Sequence, residues 1–371
     1  MITKLTQGDI FESDAQTLVN TVNTVGVMGK GVALAFKKRY PEMFKDYERR
    51  CARDEVRLGE PYIWRPLIGQ WVINFPTKSH WRAVSKLSDI RAGLAYLADH
   101  IDEWGVESLA VPPLGAGQGQ LDWQVVGPTL YRHLDALDIP VELFAPWDVP
   151  EGQLSLDFLK RAEVIDSETR VPVEPAWTAL AQIAAAVNAQ RHAWPVGKTR
   201  FQKLAYLATE AGLPMDLEFT AGSYGPFSPG IKSILSRLVN NGVVDERPSG
   251  RMVRIVAGPT LDDACAAHAE FLRDHRDAID RTVDLVSRLD ERQTELASTV
   301  IFVAGALRHR LGRLPTEREI LDQAMRWKVR RRPPIEPHEF AESIRDMQTL
   351  GWLEAKPSED LPIDDDLLTI A

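Results

Sequence analysis

The sequence predicts two regions of different class: an α/β domain, a mixed sheet flanked by helices, over residues 1–150, and a mainly α region of winged-helix type over 175–371. Three observations predict this division. Short apolar runs alternate with helical patterns as far as Phe144; the run Ala145–Pro150 then breaks the pattern; and beyond Pro175 helical spacing dominates, interrupted by one hairpin signal.

Strands are expected at Met1–Thr6, Thr17–Thr21, Tyr62–Trp64, Trp71–Phe75, Ser108–Val111 and Val141–Phe144. Between them, helical spacing marks Gly31–Arg39, Pro41–Arg53, Lys86–Trp104 and Trp123–Leu137. Strand–helix alternation suits a parallel or mixed sheet, because parallel neighbours need a crossover connection. Residues 151–174 read as a linker. In the second half, Trp177–Ala189, Phe201–Ala211 and Ile231–Asn241 read as helices, the last closed by Gly242. Val243–Asp245 and Met252–Val256 flank the turn Arg247–Gly250, so three helices and a two-stranded wing are expected. A weaker second copy is expected in Thr316–Met325, Phe340–Leu350 and Gly351–Ala355, after a long amphipathic helical region, His268–Arg308. Asp360–Asp366 reads as a loose acidic tail.

Composition narrows the function classes. At 371 residues and 44% hydrophobic, the chain is too long for one ordinary core and suits two or three domains. A net charge of −9 argues against binding nucleic acid by charge alone. Two distant cysteines, Cys51 and Cys265, exclude a disulfide framework, and the eight histidines show no metal-ligand spacing. Met1–Lys4 leads directly into strand-like sequence, and no apolar run approaches the ~20 residues that cross a bilayer. A soluble cytoplasmic protein without a membrane partner is expected.

The chemistry-bearing residues fall in three loops. Asn20–Gly31 follows a strand and opens a helix, with glycines where backbone amides can approach a phosphate and asparagines that can bond ribose hydroxyls. Its spacing matches neither common nucleotide-binding glycine motif, and a purely structural turn is the competing reading. Pro112–Trp123 also leaves a strand and enters a helix, carrying three alternate glycines, Gly115, Gly117 and Gly119. Two such loops at different strand ends of one sheet are a stronger signal than either alone, since open α/β sheets bind ligands at the carboxyl ends of their strands. The third, Asn74–Arg82, places Lys78 on the same rim. A solvated surface lysine is the plain reading. The chemical reading is an amine desolvated by aromatic neighbours and crowded by Arg82, both of which favour the neutral, nucleophilic form.

Gln7-Gly8-Asp9-Ile10, the Asn20–Gly31 loop and the Pro112–Trp123 loop together resemble the macrodomain family, whose members bind ADP-ribose. The likeness runs from Met1 to about Trp147. Within that family, Phe75-Pro76-Thr77-Lys78-Ser79-His80-Trp81 resembles the DarG antitoxins of DarT/DarG toxin–antitoxin systems. There DarT toxins attach ADP-ribose to thymidine bases of single-stranded DNA and DarG macrodomains remove it. The resemblance therefore implies ADP-ribosylated single-stranded DNA as substrate, ADP-ribose as product and a DarT-type toxin as protein partner, with no cofactor and no metal. Carried over by position, Asp9 would meet the adenine amino group and Ile10 would contact it through its backbone. Asn20 and Asn23 would lie near the distal ribose. Gly29, Lys30 and Gly31, with Gly115, Ala116, Gly117, Gln118 and Gly119, would wrap the phosphates. Lys78 matches the family's catalytic lysine. Related lysine-using macrodomains carry an aspartate in the second glycine loop; here that position is Gly119, and Asp122 suits a helix cap, so Lys78 is left without an assigned acid/base partner.

Three function classes follow for the whole chain: enzyme, ADP-ribose reader, and regulator acting on DNA through winged helices. It is a hydrolase that also binds its toxin, which is the expectation adopted; alternatively it is a non-catalytic ADP-ribose reader coupled to a winged-helix DNA-binding regulator. Arg326, Lys328, Arg330, Arg331 and Arg332 around Trp327 form a basic run suited to phosphates or to a partner surface. Residues 151–371 nevertheless hold 28 lysines and arginines against 34 aspartates and glutamates, which disfavours general DNA binding. Phe201–Leu207 and Ser223–Ser228 resemble toxin-binding winged-helix domains of antitoxins, although Tyr224-Gly225-Pro226-Phe227 also reads simply as a turn with two aromatics plugging the core. The resemblance implies toxin neutralisation by the C-terminal half, and together with the net acidic charge it leads to the expectation of an acidic surface imitating DNA phosphates.

Overall fold

A computed structural model describes residues 1–161, 173–250 and 252–362. The chain forms two compact units. The first is built on the N-terminal segment and also takes in Lys232–Gly242 and Glu246–Val253; the second comprises Val173–Ile231, Val243–Asp245 and the segment from Arg254 onward. Most of the expected linker and the acidic run from Asp364 to Asp366 lie outside the described residues.

In the first unit the strands are β1 (Ile2–Thr6), β2 (Thr17–Asn23), β3 (Tyr62–Trp64), β4 (Trp71–Lys78), β5 (Leu109–Val111) and β6 (Val141–Phe144). They form one sheet in the order β1-β6-β5-β2-β4-β3. The sheet is mixed: β3 runs antiparallel to β4, while the pairs β1–β6, β6–β5, β5–β2 and β2–β4 are parallel. Alternate residues of each strand feed opposite cores. Leu18 and Val22 of β2 pack with Phe36, Met43 and Tyr47 of α1 (Gly31–Arg39) and α2 (Pro41–Ala52). Val19 and Ile73 pack with Leu94 and Leu97 of α3 (Leu87–His100) and Val126 and Leu130 of α4 (Trp123–Asp135). Burial on both faces explains why these strands read as continuous apolar runs.

Two boundaries differ from expectation for identifiable reasons. β4 continues past Pro76 to Lys78. β3 pairs with β4 only from Val72 to Asn74, so beyond Asn74 one edge of β4 is unpaired and the missing proline N–H is tolerated. The first unit also continues beyond residue 150: α5 (Leu156–Arg161) inserts Leu159, 2% exposed, into the same core as α4.

The second unit is mainly helical. It holds α6 (Pro175–Ala189), α7 (Lys198–Glu210), α9 (Leu261–Ala267), α10 (Ala269–Asp274), α11 (Arg276–Arg288), α12 (Glu291–Leu311), α13 (Glu317–Lys328) and α14 (Pro337–Thr349). Helix α8 (Gly230–Asn240) and the hairpin β9 (Val244–Ser249) and β10 (Met252–Ala257) supply residues to both units. A small hairpin that the sequence did not suggest, β7 (Thr220–Gly222) with β8 (Gly225–Phe227), lies between α7 and α8. The long region expected over His268–Arg308 is three helices, because Asp290 begins a new one with a reciprocal capping box to Gln293. The expected second wing at Gly351–Ala355 is not a hairpin; a single bridge, Thr316 to Lys356, stands there. Among the described residues no helix is long and apolar enough to cross a membrane.

A buried charge cluster joins α7, α12 and the end of α13 in the second unit. Glu295 on α12 is 3% exposed, and its carboxylate accepts from Lys328 Nζ at 2.8 Å and from Arg331 at 3.2 Å. These cations hold the carboxyl below its ordinary range, against the opposing effect of burial. Lys203 on α7, 2% exposed, faces the same carboxylate, and burial pushes its amine down to about 8. Three cations thus share one buried anion. Removing that anion as Glu295→Gln should cost about 3–5 kcal/mol, the usual loss when a buried ion pair is broken from one side. Between pH 8 and the ordinary 10.5 the folded chain holds fewer protons at Lys203 than the unfolded chain, so stability should rise with pH across that window. Lys203→Met should raise the unfolding midpoint at pH 7 and remove that rise. Thermal melts followed by circular dichroism from pH 7 to 10.5 check all three; an unshifted Glu295→Gln midpoint would refute the first.

Candidate active site

The parallel register of β2 and β4 creates the site. Asn20 stands opposite Asn74, Thr21 opposite Phe75 and, after a bulge, Asn23 opposite Lys78. Because β5 pairs in parallel with β2, the loops leaving β2, β4 and β5 emerge at one edge of the sheet. β1 points the same way, so Asp9 lies at that edge too. All three glycine- and lysine-bearing loops read from the sequence therefore converge.

The loop after β2 is shaped by Asn23, which is 7% exposed. Its Oδ1 accepts from Val25 N at 3.0 Å and Val27 N at 3.3 Å, and its Nδ2 donates to Val27 O at 2.5 Å. Tyr47 OH donates to the Asn23 backbone oxygen at 2.8 Å, and burial pushes that phenol far up, so it remains a donor at any working pH. Gly29, Lys30 and Gly31 are exposed beyond this brace. Lys30 makes no side-chain cap, so the first amides of α1 face the loop without a side-chain acceptor. Gly31 has φ +57°, and a Cβ there would lie 3.8 Å from Gln118 Cγ, which brings the two glycine loops side by side.

The loop after β5 turns Gly119 inward and Gly117 and Gln118 outward. Gly119 O accepts from Ser85 N at 2.9 Å, and Leu121 N donates to Gly115 O at 3.0 Å. Gln120 adopts φ +66°, a left-handed conformation that costs a non-glycine residue roughly 1–2 kcal/mol. Ala116 is half-buried. Asp122 caps α4 by accepting from Gln124 N at 2.9 Å, in line with its expected role.

Lys78 closes the arrangement. It ends β4, is 9% exposed, and its Nζ donates to Gln118 O in the second glycine loop. It is therefore not the solvated surface lysine of the plain reading. Its backbone oxygen accepts from Thr24 N at 3.0 Å, and Thr24 Oγ1 donates to Ser79 O at 2.8 Å, which ties the lysine strand to the first loop. Next to it, His80 Nδ1 accepts from Arg82 N at 3.2 Å, and the Arg82 guanidinium lies 4.4 Å from the Trp81 ring centroid. Asp9 is exposed and caps a short 3₁₀ turn by accepting from Phe11 N at 3.0 Å, while the Ile10 side chain is buried.

Asn20, expected beside a ribose, is a correction. It sits in mid-strand with no exposed surface, and its Nδ2 donates to Asn74 Oδ1 at 2.8 Å, so it braces the sheet beneath the site. Sequence reasoning did not single out Thr24, Asn74 or Ser85. The first two lie inside motifs it had already marked; Ser85 carries no local signal, because its partner Gly119 is distant in the chain. Among the described residues no group of three or more metal-ligating side chains is present. A lysine amine between two backbone-lined loops is suited to nucleophilic work on a ligand held by those amides.

This fold and these loops define a macro domain: residues 19–130 match the macro domain family, and the N-terminal unit belongs to it. Its likeness within that family is to DarG-type DNA ADP-ribosyl glycohydrolases. The DNA ADP-ribosyl glycohydrolase of Thermus aquaticus is 36% identical over 239 residues, 63% of this chain and 63% of that protein. The solved macrodomain of Mycobacterium tuberculosis DarG is 50% identical and covers 39% of this chain and 98% of that one, with a TM-score of 0.38. A DNA ADP-ribosyl transferase–DNA ADP-ribosyl glycohydrolase fusion protein of Thermosipho africanus is 38% identical over 175 residues, 42% of this chain and 45% of that protein. The match thus spans less than two thirds of the length of these full-length relatives.

The second loop offers a direct check of its packing. A Cβ at Gly119 would stand 2.2 Å from Gly115 O, a backbone atom, whereas one at Gly117 meets nothing within 4 Å. Gly119→Ala should destabilise the first unit by about 1–3 kcal/mol, the usual cost of overpacking. Gly117→Ala should leave the melting midpoint close to wild type. Equal midpoints for the two variants would contradict the inward turn of Gly119.

Proposed function

We propose that the macro domain removes ADP-ribose from thymidine bases of single-stranded DNA, and that the C-terminal region, of winged-helix type, binds and neutralises a DarT-type transferase. The chain would then act as an antitoxin by two routes, reversing the modification and restraining the enzyme that makes it. The observation that carries the first part is the place of Lys78, at the end of β4 with its amine against the second glycine loop. Support for the second part comes from the Thermosipho africanus relative, whose name joins the transferase and the glycohydrolase in one chain.

On this reading Gly29, Lys30 and Gly31, with Gly115 to Gly119, hold the diphosphate through backbone amides, and Asn23 keeps the first loop in shape for the distal ribose. Asp9 and the backbone of Ile10 meet the adenine. Neutral Lys78 attacks the anomeric carbon: a C–N bond forms to Nζ while the bond to the thymine nitrogen breaks and its electron pair stays with the base. Lysine gives up a proton and the base takes one from solvent. Water then replaces the lysine, releasing ADP-ribose and unmodified DNA. No metal or cofactor enters these steps.

The wild-type chain should release ADP-ribose from thymidine-modified single-stranded DNA, and Lys78→Ala should lose at least 100-fold in rate. Lys78→Arg should be equally inactive, because arginine keeps the charge and cannot become a neutral nucleophile. Chromatography of the released nucleotide reads this. A Lys78→Ala chain that hydrolyses at the wild-type rate would overturn the assignment, while retained ADP-ribose binding with no release by either protein would make the domain a reader. The second activity should survive the same substitution: full-length Lys78→Ala, added to the transferase, should suppress DNA modification at near-equimolar ratio. Undiminished transferase activity at saturating antitoxin would end that part of the reading.

A further inference from the structure

We infer that the second unit docks a carboxylate-bearing segment of a protein partner on the edge formed by Tyr224, Val329, Arg326, Arg330 and Arg332. This rests on the proposal that the chain binds a transferase, and it names the surface and the chemistry of that contact. It would stand beside the acidic surface expected from net charge and resemblance, as a second contact of opposite sign.

The basic run read from the sequence divides in the fold. Lys328 and Arg331 turn inward onto Glu295, and Arg331 N donates to Lys328 O at 2.8 Å. With those two side chains pinned, their neighbours are forced outward: Arg326, Arg330 and Arg332 are exposed, and Val329 is 71% exposed. Among the described residues Arg326 and Arg332 bond only backbone oxygens, of Asp322, Val329 and Arg331. Elsewhere in this unit Arg276, Arg288, Arg292, Arg308, Arg313 and Arg318 each find a carboxylate. Others, such as Arg273, Arg281 and Arg310, have none among the described residues, and the outward arginines of the 326–332 segment have none either. That segment differs in setting three such arginines close together beside an exposed tyrosine.

The same anchors hold an aromatic ring beside them. Trp327 Nε1 donates to Gly222 O at 3.1 Å, and Lys328 Nζ donates to Ser223 O at 3.1 Å, so the tip of the β7–β8 hairpin is fastened to the end of α13. Tyr224 at that tip is 57% exposed, with the Arg331 guanidinium 5.0 Å from its ring centroid. The simple reading of this motif as two aromatics plugging the core therefore fails; Phe227 is also 37% exposed. A tip held in place loses little freedom on binding, which favours affinity.

Charge and composition select the partner. Beneath the patch Lys203, Lys328 and Arg331 share one carboxylate, so the local field is positive and draws anions. A nucleic acid would need a basic groove tracking several phosphates, whereas residues 151–371 are net acidic. An exposed tyrosine and valine rimmed by arginines matches the composition of a protein-contact hot spot, where tyrosine and arginine are enriched, and the arginines at its rim suit carboxylates on the partner.

The test is calorimetric titration of the full-length chain with a DarT-type transferase. Arg330→Glu/Arg332→Glu should weaken binding at least 30-fold and Tyr224→Ala about tenfold, while Arg273→Glu, an exposed arginine on α10, stays within twofold. Melting midpoints and ADP-ribose release should match wild type in all three. Wild-type affinity in the double charge reversal would overturn the surface. A wild-type chain that fails to bind the transferase would instead sink the antitoxin reading and this contact with it. Binding of an unmodified single-stranded oligonucleotide that the double variant loses, with transferase binding intact, would assign the patch to nucleic acid and overturn the proposal.

Discussion

The parallel pairing of β2 with β4 is the constraint on which the site depends. It sets Asn23 opposite Lys78 and sends two loops out at one edge, and the pairing of β5 with β2 adds the third. A one-residue slip would reverse which face each side chain meets, exchanging Leu18 and Val22 with Val19 between the two cores. The register is thus enforced by burial on both faces, far from any ligand. The chemistry at the rim is a by-product of where the apolar residues must go.

Above that foundation the loops brace one another through backbone atoms. Lys78 holds Gln118 O, Ser85 holds Gly119 O, Thr24 holds the Lys78 and Ser79 carbonyls, and Asn23 folds its own loop back on itself. Several of these contacts join loops far apart in sequence. An amine fixed by a main-chain oxygen keeps its position whichever side chains surround it, which suits a group that must meet a reacting carbon at a set distance.

Much of this was legible in the sequence because it is local. Strand periods, glycine spacing and the lysine motif each lie within about a dozen residues, and the elements they predict stand within a few residues of their expected ends. What was illegible is long-range. The extension of β4 through Pro76 depends on how far β3 pairs with it. The burial of Asn20 depends on Asn74, and the role of Ser85 on Gly119. The basic run 326–332 looked uniform, yet Glu295, on another helix, decides which of its cations face inward. The β7–β8 hairpin escaped notice because its strands, Thr-Ala-Gly and Gly-Pro-Phe, carry the glycine and proline that mark turns and lack the continuous apolar run that reveals the equally short β3 and β5.

The three loops around Lys78 carry a single carboxylate, Asp122, and it is engaged as the cap of α4; none stands between Asn20 and Gly31, between Asn74 and Arg82, or between Pro112 and Gln120. Gly119 stands where, on the proposed reading, the resemblance places an acid, and with Asp122 turned to its helix cap these loops bring no carboxylic acid to protonate a poor leaving group. On the proposed reading, selectivity then follows from bond chemistry. Thymine's ring nitrogen, set between two carbonyls, departs as a delocalised imide anion, whereas an alcohol or a guanidine departs only with a proton in hand. The narrowness of the substrate class would lie in what these loops omit.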